Sequence, residues 1–322
     1  EQGRSVLFIT HRLGEVLAMC DRATILRNGT AVAGFDLAGV DEAQLVTAML
    51  GEELVKELSE ETSVEAVASE EVAAAATPES PVVLELKDVR LSDKVNGVSF
   101  QLHRGEILGL TALEGQGQDE LFQVLSGDHR PSSGELLVDG ATMNARSPYD
   151  AIRKGLVLVP ADRQQALLPQ RSVRENLSTP LYNRASKWFT LAGDETERVD
   201  RAVDRLDIDV RAGSQVQRLS GGNQQKVTIG RWLASGFDTL LCFDPTRGID
   251  IQTKAQIYDL LRELAAAGSS IVLYTSELRE IPLVCDRVMV MYNGRIVHEQ
   301  DAKTATEEEM LTSAHGLEEA RA

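Results

Sequence analysis

Two glycine-bearing runs and one strand end hold the residues of this chain whose types and spacing could handle a phosphate. The first, EGQGQDELFQVLSG from Glu114, follows the apolar stretch EILGLTAL and opens a helical pattern. A strand, a glycine-rich turn and a helix in that order are the frame of a P-loop. In such a loop backbone N–H groups and the helix N-terminus wrap a phosphate, while a Lys and a Ser or Thr serve the phosphates and Mg²⁺. Gly115 and Gly117 stand at the last two loop glycines, but Ala112 stands at the first, Gln118 at the Lys and Asp119 at the Ser or Thr. A unit charge pair ~4 Å apart at a surface-like dielectric is worth ~4 kcal/mol before desolvation. Gln118 therefore removes a counter-charge, and Asp119 adds a like charge beside the phosphate. The second run, LSGGNQQKVTIGRWLA from Leu219, sets Ser220 at a helix start with two glycines directly behind it. The third, DTLLCFDPTRGID, is an apolar strand that ends at Phe243 and Asp244 and continues to Asp250.

The elements that position these runs emerge from an internal repeat. Laying Gly3 over Gly268 sets GRSVLFITHRLGEVLAMCDRATILRNGTAV against GSSIVLYTSELREIPLVCDRVMVMYNGRIV without a gap. Over residues 1 to 34 the identities are Gly3, Ser5, Thr10, Leu13, Glu15, Cys20, Asp21, Arg22, Asn28, Gly29 and Val32, 11 of 34. Chance gives about two at average residue usage. Each copy reads as an apolar strand, a helix carrying Cys-Asp-Arg near its end, a second strand, and an Asn-Gly turn into a third, the alternation of an α/β protein. The second copy starts near Val82, long before Gly268, whereas two residues precede the equivalent Gly3. The first copy thus reads as the C-terminal remnant of a domain, and the chain as the C-terminal part of a longer tandem protein. Residues 52–81 carry nine Glu, one Lys, the run Ala73–Ala76, Pro78 and Pro81. That composition predicts a solvated tether. The expected organisation is a remnant over 1–58, an acidic Ala-rich linker over 59–81 and a complete unit over 82–316, with a helical subdomain over about 172–231.

Composition narrows the function classes. With 322 residues, 43% apolar and 26% charged, the chain can bury at least one core and is not a disordered polypeptide. Its net charge of −17 repels phosphate backbones at long range, which excludes broad nucleic-acid binding. No apolar stretch reaches the ~18 residues of a membrane span, and the first residues do not read as a signal peptide. The chain accordingly reads as cytoplasmic. Cys20, Cys242 and Cys285 form no CxxC pair and read as buried thiols, and no metal-ligand constellation stands out.

LSGGNQQKV and PTRGID resemble the signature and D-loop of ATP-binding-cassette (ABC) proteins, and EGQGQDEL an altered P-loop of the same family. The resemblance covers nearly all of the chain except the linker and is strongest to the tandem ATPases of bacterial simple-sugar importers of the ribose, galactose and xylose group. It implies an α/β P-loop NTPase cassette with a helical subdomain, preceded by the remnant of a first cassette. It also implies that Ser220, Gly221, Gly222 and Asn223 present donors to the terminal phosphate of ATP held by an opposed domain, and that Asp250 contacts that domain. Aligned on Pro245, the Mg²⁺-binding Asp of the family is Phe243 here and the water-polarising Glu is Asp244. A Phe offers no oxygen to a metal. The family's switch histidine corresponds to His11 in the first copy and to Ser276 in the second, and Pro160–Arg163 lies at the Q-loop with Ala161 at the glutamine position.

The resemblance implies that ATP and Mg²⁺ are used at one composite site, built from an upstream P-loop, His11 and the signature of the second copy. The other site, with Gly115, Gly117, Gln118, Asp119, Phe243, Asp244 and Ser276, would be degenerate. Implied partners are an N-terminal half of the same protein, membrane permease subunits and, indirectly, a periplasmic or extracellular sugar-binding protein, with the subunit peripheral on the cytoplasmic face of the plasma membrane. The nearest alternatives are a nucleoside importer ATPase and a non-hydrolytic nucleotide-binding regulatory module. A ribosome-acting tandem ATPase would need a long helical charged linker reaching into RNA, which the short acidic linker does not supply.

Overall fold

The computed structural model describes residues 5–9, 13–27, 30–41, 44–45, 48, 80–184, 192–208 and 215–316. The chain divides into two compact units, Glu1–Ala73 and Ala74–Ala322. His11 and the linker expected over 59–81, up to residue 79, lie outside the described residues.

In the first unit helix α1 (Leu13–Met19) precedes an antiparallel hairpin of β1 (Arg22–Arg27) and β2 (Thr30–Asp36). Its register runs from Arg22↔Asp36 to Arg27↔Thr30 and shifts between Ile25 and Leu26. The second unit repeats this hairpin at the offset found in the sequence: Arg287↔Asp301 to Tyr292↔Arg295, shifting between Val290 and Met291. Duplication thus preserved the register and its bulge. The two copies part at the strand ahead of the hairpin. Val6, Leu7 and Ile9 are 88%, 90% and 88% exposed, whereas their counterparts Ile271, Val272 and Tyr274 are 0%, 0% and 6% exposed. The same apolar pattern is a buried central strand in one copy and an uncovered segment in the other. Cys242 and Cys285 are buried free thiols, as expected, but Cys20 is only half-buried because it sits on this open unit.

The second unit starts with β3 (Val82–Leu91), β4 (Val95–His103) and β5 (Ile107–Ala112), followed by helix α2 (Gln118–Leu125), β6 (Ser133–Val138) and β7 (Ala141–Thr142). Next come α3 (Pro148–Arg153), β8 (Leu156–Val159), α4 (Arg163–Ala166), α5 (Val173–Arg184), α6 (Ala192–Arg205) and α7 (Gly221–Ser235). The chain continues through β9 (Thr239–Phe243), α8 (Ile251–Ala266), β10 (Ser270–Tyr274), α9 (Ile281–Val284), β11 (Arg287–Tyr292), β12 (Arg295–Asp301) and α10 (Glu307–Ala314). Six strands form a mixed sheet in the order β12-β11-β5-β10-β9-β8, parallel throughout except for the β11–β12 hairpin. A second, antiparallel sheet has the order β4-β3-β6-β7.

The edge strand β12 is exposed or half-buried and mostly polar. The parallel strands of the large sheet are buried on both faces, which is why they read as continuous apolar runs. Alternation then divides them between two cores. Ile107, Leu240, Cys242, Ile271, Leu273, Val288 and Val290 face the core shared with the helices, including Leu177, Val227 and Leu261. Leu108, Leu110, Leu241, Val272, Met289 and Met291 face the core beneath the antiparallel sheet, with Leu121 and Leu125 of α2. No helix among the described residues is long and apolar enough to cross a membrane.

The Asn-Gly turn between β11 and β12 takes left-handed backbone at both residues, with φ of 47° at Asn293 and 76° at Gly294. That geometry suits the right-handed twist of a hairpin. It also lets the turn press on its neighbours: a Cβ at Gly294 would lie 2.3 Å from the Lys94 carbonyl oxygen. Replacing Gly294 by Ala is expected to cost more than about 1 kcal/mol, the strain of left-handed backbone alone, before the clash is relieved. The midpoint of urea unfolding measures it, and an unchanged midpoint contradicts this account.

Candidate nucleotide site

Parallel strands place their C-terminal ends along one edge of a sheet, and in open α/β sheets that edge is where ligands bind. Five connections leave it here: 113–117 after β5, 160–162 after β8, 244–250 after β9, 275–277 after β10 and the turn 293–294 after β11. Every phosphate-handling run of the second unit except the signature is one of these loops, and the signature opens α7 beside them.

The glycine-rich turn has the shape of a phosphate cradle. Gly117 caps α2 at φ +103°, and a Cβ there would lie 2.1 Å from the Lys94 carbonyl oxygen. The β11–β12 turn holds the cradle from behind: the Gly294 N–H donates to the Gln116 carbonyl at 3.0 Å and the Asn293 N–H to Gln116 Oε1 at 2.7 Å. Its chemistry is inverted, however. Gln118 is 2% exposed, its amide lies at the Tyr274 hydroxyl, and its Oε1 is buried with no hydrogen-bond partner. Asp119 and Glu114 are exposed at the mouth. Burial, then the charges of Glu120 and Glu114, raise the Asp119 pKa.

Behind the cradle the space between α2, β9 and β10 is filled by rings. Phe243 stacks on Tyr274 with centroids 4.6 Å apart and planes 22° apart, and Phe122 meets Phe243 edge-on at 5.0 Å. Such pairs contribute about 0.5–1.5 kcal/mol each beyond area burial. Burial and the Asp244 and Asp119 charges push the Tyr274 hydroxyl up to about 12. Asp244 is 4% exposed, with φ +48°. The Ser276 hydroxyl donates to its Oδ2 at 2.9 Å and the Ser276 N–H to its Oδ1 at 3.4 Å. Ser276 therefore occupies both oxygens of the Asp244 carboxylate.

Glu280 anchors these loops to one another. It is 5% exposed; Thr246 and Thr275 donate to its Oε2 at 3.0 and 2.8 Å, and Lys254 Nζ pairs with its Oε1 at 2.9 Å. Tyr258 donates to Thr246, and Lys254 also pairs with Glu277 at 2.5 Å. Burial works against the Lys254 ammonium, but its two carboxylates outweigh that and raise its pKa. Sequence reading passed over Glu280, although Glu15 and Thr10 repeat as Glu280 and Thr275 and gave a signal for it.

At the signature, Ser220 caps α7: the Asn223 N–H and Nδ2 both donate to its Oγ, at 3.3 and 3.1 Å. The N–H groups of Gly221 and Gly222 precede the first helix carbonyl that could receive them, and they sit at the positive end of a four-turn helix. Each glycine has a steric reason. A Cβ at Gly222 would lie 2.6 Å from Thr253 Oγ1, and one at Gly221 would lie 3.0 Å from Arg163 Nη2. Thr253 in turn donates from N and Oγ1 to Asp250, the cap of α8, at 2.9 and 2.8 Å. The structure thus brings Ser220–Asn223 and Asp250 to adjoining helix starts, and Gly115, Gly117, Gln118, Asp119, Asp244 and Ser276 to the cradle. No group of three potential metal ligands occurs among the described residues. The cradle does not fit a magnesium nucleotide, since rings and paired or like-charged carboxyls stand where cations should. The signature fits an anion.

Residues 95–247 match the ABC transporter domain family. The chain is 37% identical over 318 residues to an arabinose import ATP-binding protein of Burkholderia cenocepacia, covering 97% of this chain and 59% of that protein. It is 34% identical over 319 residues to a ribose import ATP-binding protein of Bacillus subtilis, covering 98% of this chain and 62% of that protein. The chain spans about three fifths of the length of these relatives. Among solved structures, cbiO1 of Clostridium perfringens, part of an ABC transporter complex, superposes with a TM-score of 0.62 at 24% identity, covering 75% of this chain and 97% of that one. A bacterial ABC transporter cassette solved as a dimer gives 0.60 at 21% identity, covering 68% and 98%. The fold is that of an ABC cassette P-loop NTPase.

Burial raises the Asp244 pKa, and the hydrogen bonds from Ser276 offset only part of the rise. A carboxyl whose pKa is higher folded than unfolded favours the folded state below its unfolded pKa and loses that contribution as pH rises through the folded value. Asp244→Asn removes this titration. The stability of the variant relative to the parent is expected to grow as pH rises above about 4, read by chemical unfolding at each pH; a constant difference contradicts it.

Proposed function

The chain carries a cassette domain of the ABC transporter family, and from that premise we propose that it serves in the ATP-binding subunit of a simple-sugar importer. The observation that carries the reading is the division of chemistry within one unit, an intact, well-supported signature beside a cradle that cannot neutralise phosphate. A cassette of this kind has work to do only opposite another. The duplicated hairpin and the greater length of the relatives support a first cassette in the same polypeptide, whose P-loop would hold ATP and Mg²⁺ against Ser220–Asn223.

In that arrangement His11 follows the strand of the first cassette and helps orient the attacking water. The second-copy signature offers the Gly221 and Gly222 N–H groups and the Ser220 hydroxyl to the terminal phosphate. Phosphoryl transfer depends on positioning and charge neutralisation, and donors fixed before the reaction are worth most. Asp250, exposed at the start of α8, faces the opposed cassette. The second cradle turns over no nucleotide, since Gln118 and Asp119 supply no counter-charge and Phe243 no metal ligand. The subunit would work peripherally on the cytoplasmic face of the membrane, through a permease and indirectly a sugar-binding protein. A non-hydrolytic module is the second reading, favoured by the ring-filled cradle.

Steady-state hydrolysis decides between them. Residues 1–322 alone are expected to show no Mg²⁺-dependent ATP turnover. The polypeptide with its upstream coding sequence is expected to hydrolyse ATP and to lose about 10²-fold or more of kcat on His11→Ala or Ser220→Ala. Asp244→Asn should leave it near the parent rate. Turnover by residues 1–322 alone, or none with the upstream sequence present, overturns the proposal.

A further inference from the structure

We propose that Arg163 is a phosphate-binding residue of the signature half-site, a cation beside Ser220–Asn223 that reaches the terminal phosphate of ATP held by the opposed cassette. The inference rests on the importer-ATPase reading and adds to it the first residue of α4, directly after the loop that follows β8.

The placement of the side chain carries the argument. Arg163 starts α4, and its guanidinium lies against the first residue of the signature helix: an ideal Cβ on Gly221 would be 3.0 Å from Nη2 and 3.4 Å from Cζ. Its Nε donates to Gln224 Oε1 at 3.3 Å. Gln224 is itself oriented, because its Nε2 donates to the Leu219 carbonyl at 3.0 Å. A neutral acceptor therefore aims the guanidinium without quenching its charge. Asp162, the nearest carboxylate in sequence, spends an oxygen on the Gln164 N–H at 2.9 Å. Arg163 makes no ion pair among the described residues, whereas Arg198 and Arg205 sit on Asp194 and Glu263.

A cation at this place is unfavourable by itself. The start of a helix carries about half a positive charge, and cations are stabilised at the other end. Gly221, by lacking a side chain, admits the guanidinium to the very end that repels it. An anion between the two reverses the sign of both interactions, since it accepts from the helix N–H groups and from the planar fork of donors on arginine. ATP first binds to the opposed P-loop and meets Arg163 only when the cassettes close, so the contribution belongs to turnover and not to the initial binding.

The test uses the polypeptide with its upstream sequence, comparing the parent with Arg163→Gln and Arg163→Lys by steady-state ATP hydrolysis and by urea unfolding. Arg163→Gln is expected to lower kcat by about tenfold or more while KM and the unfolding midpoint stay near the parent values. Arg163→Lys, keeping the charge without the fork, is expected to recover part of the loss. Parent-like kcat in Arg163→Gln overturns the inference and leaves the importer reading standing. A loss of kcat that tracks a lowered midpoint and is equal in both variants assigns Arg163 a packing role and overturns it too. An inactive parent removes the importer reading, and this inference with it.

Discussion

A carboxylate buried in a protein interior persists only if its charge and lone pairs are met by fixed partners. Glu280 is such a group, and meeting its demand organises the working edge of the sheet. Thr246 comes from the loop after β9, Thr275 from the end of β10 and Lys254 from the first turn of α8. Residues from the loop after β9, the start of α8 and the end of β10 converge on one side chain. The D-loop helix thereby acquires a fixed start, its cap Asp250 is held by Thr253, and Thr253 backs the signature at Gly222. The signature is thus presented from a scaffold that extends to the far side of the neighbouring loops.

The same edge of the sheet keeps the shape of a phosphate cradle around residues that supply no cation. The glycine turn still curves as a phosphate cradle, but Phe243, Tyr274 and Phe122 fill the space behind it and Ser276 has closed upon Asp244. Apolar packing replaces charge neutralisation as the link between α2, β9 and β10.

Much of this was legible in the chain. The match of Gly3 with Gly268 and of the segments behind them foretold two hairpins, and the structure gives them the same register and the same bulge. The strand, turn and helix of the cradle and the cap at Ser220 follow from local residue chemistry and stand where the spacing puts them. Contacts that depend on tertiary approach were not legible. Phe122, Phe243 and Tyr274 are spread over three elements, and nothing local states that their rings meet. Gln118 and Asp119 were read for the charge they lack or add; that Gln118 would be buried against Tyr274 depended on how α2 packs. Arg163 read only as the end of the Q-loop segment, whereas its side chain turns toward the start of a helix from a distant part of the chain.

The order of strands in the large sheet has a consequence for how the domain is made. β5 carries the cradle and lies between β10 and β11, both of which belong to the far end of the domain sequence. While the chain is being synthesised, β3 and β4 can pair through a short connection and β6 joins them once the first third of the domain has emerged, but β5 must wait with both edges open until the last quarter emerges. Closing so long a loop adds entropy cost, and pairing of this kind is slow. The central strand of the finished fold is therefore the last to be sheltered during synthesis. Until then it is the segment most exposed to wrong partners and to holding by chaperones.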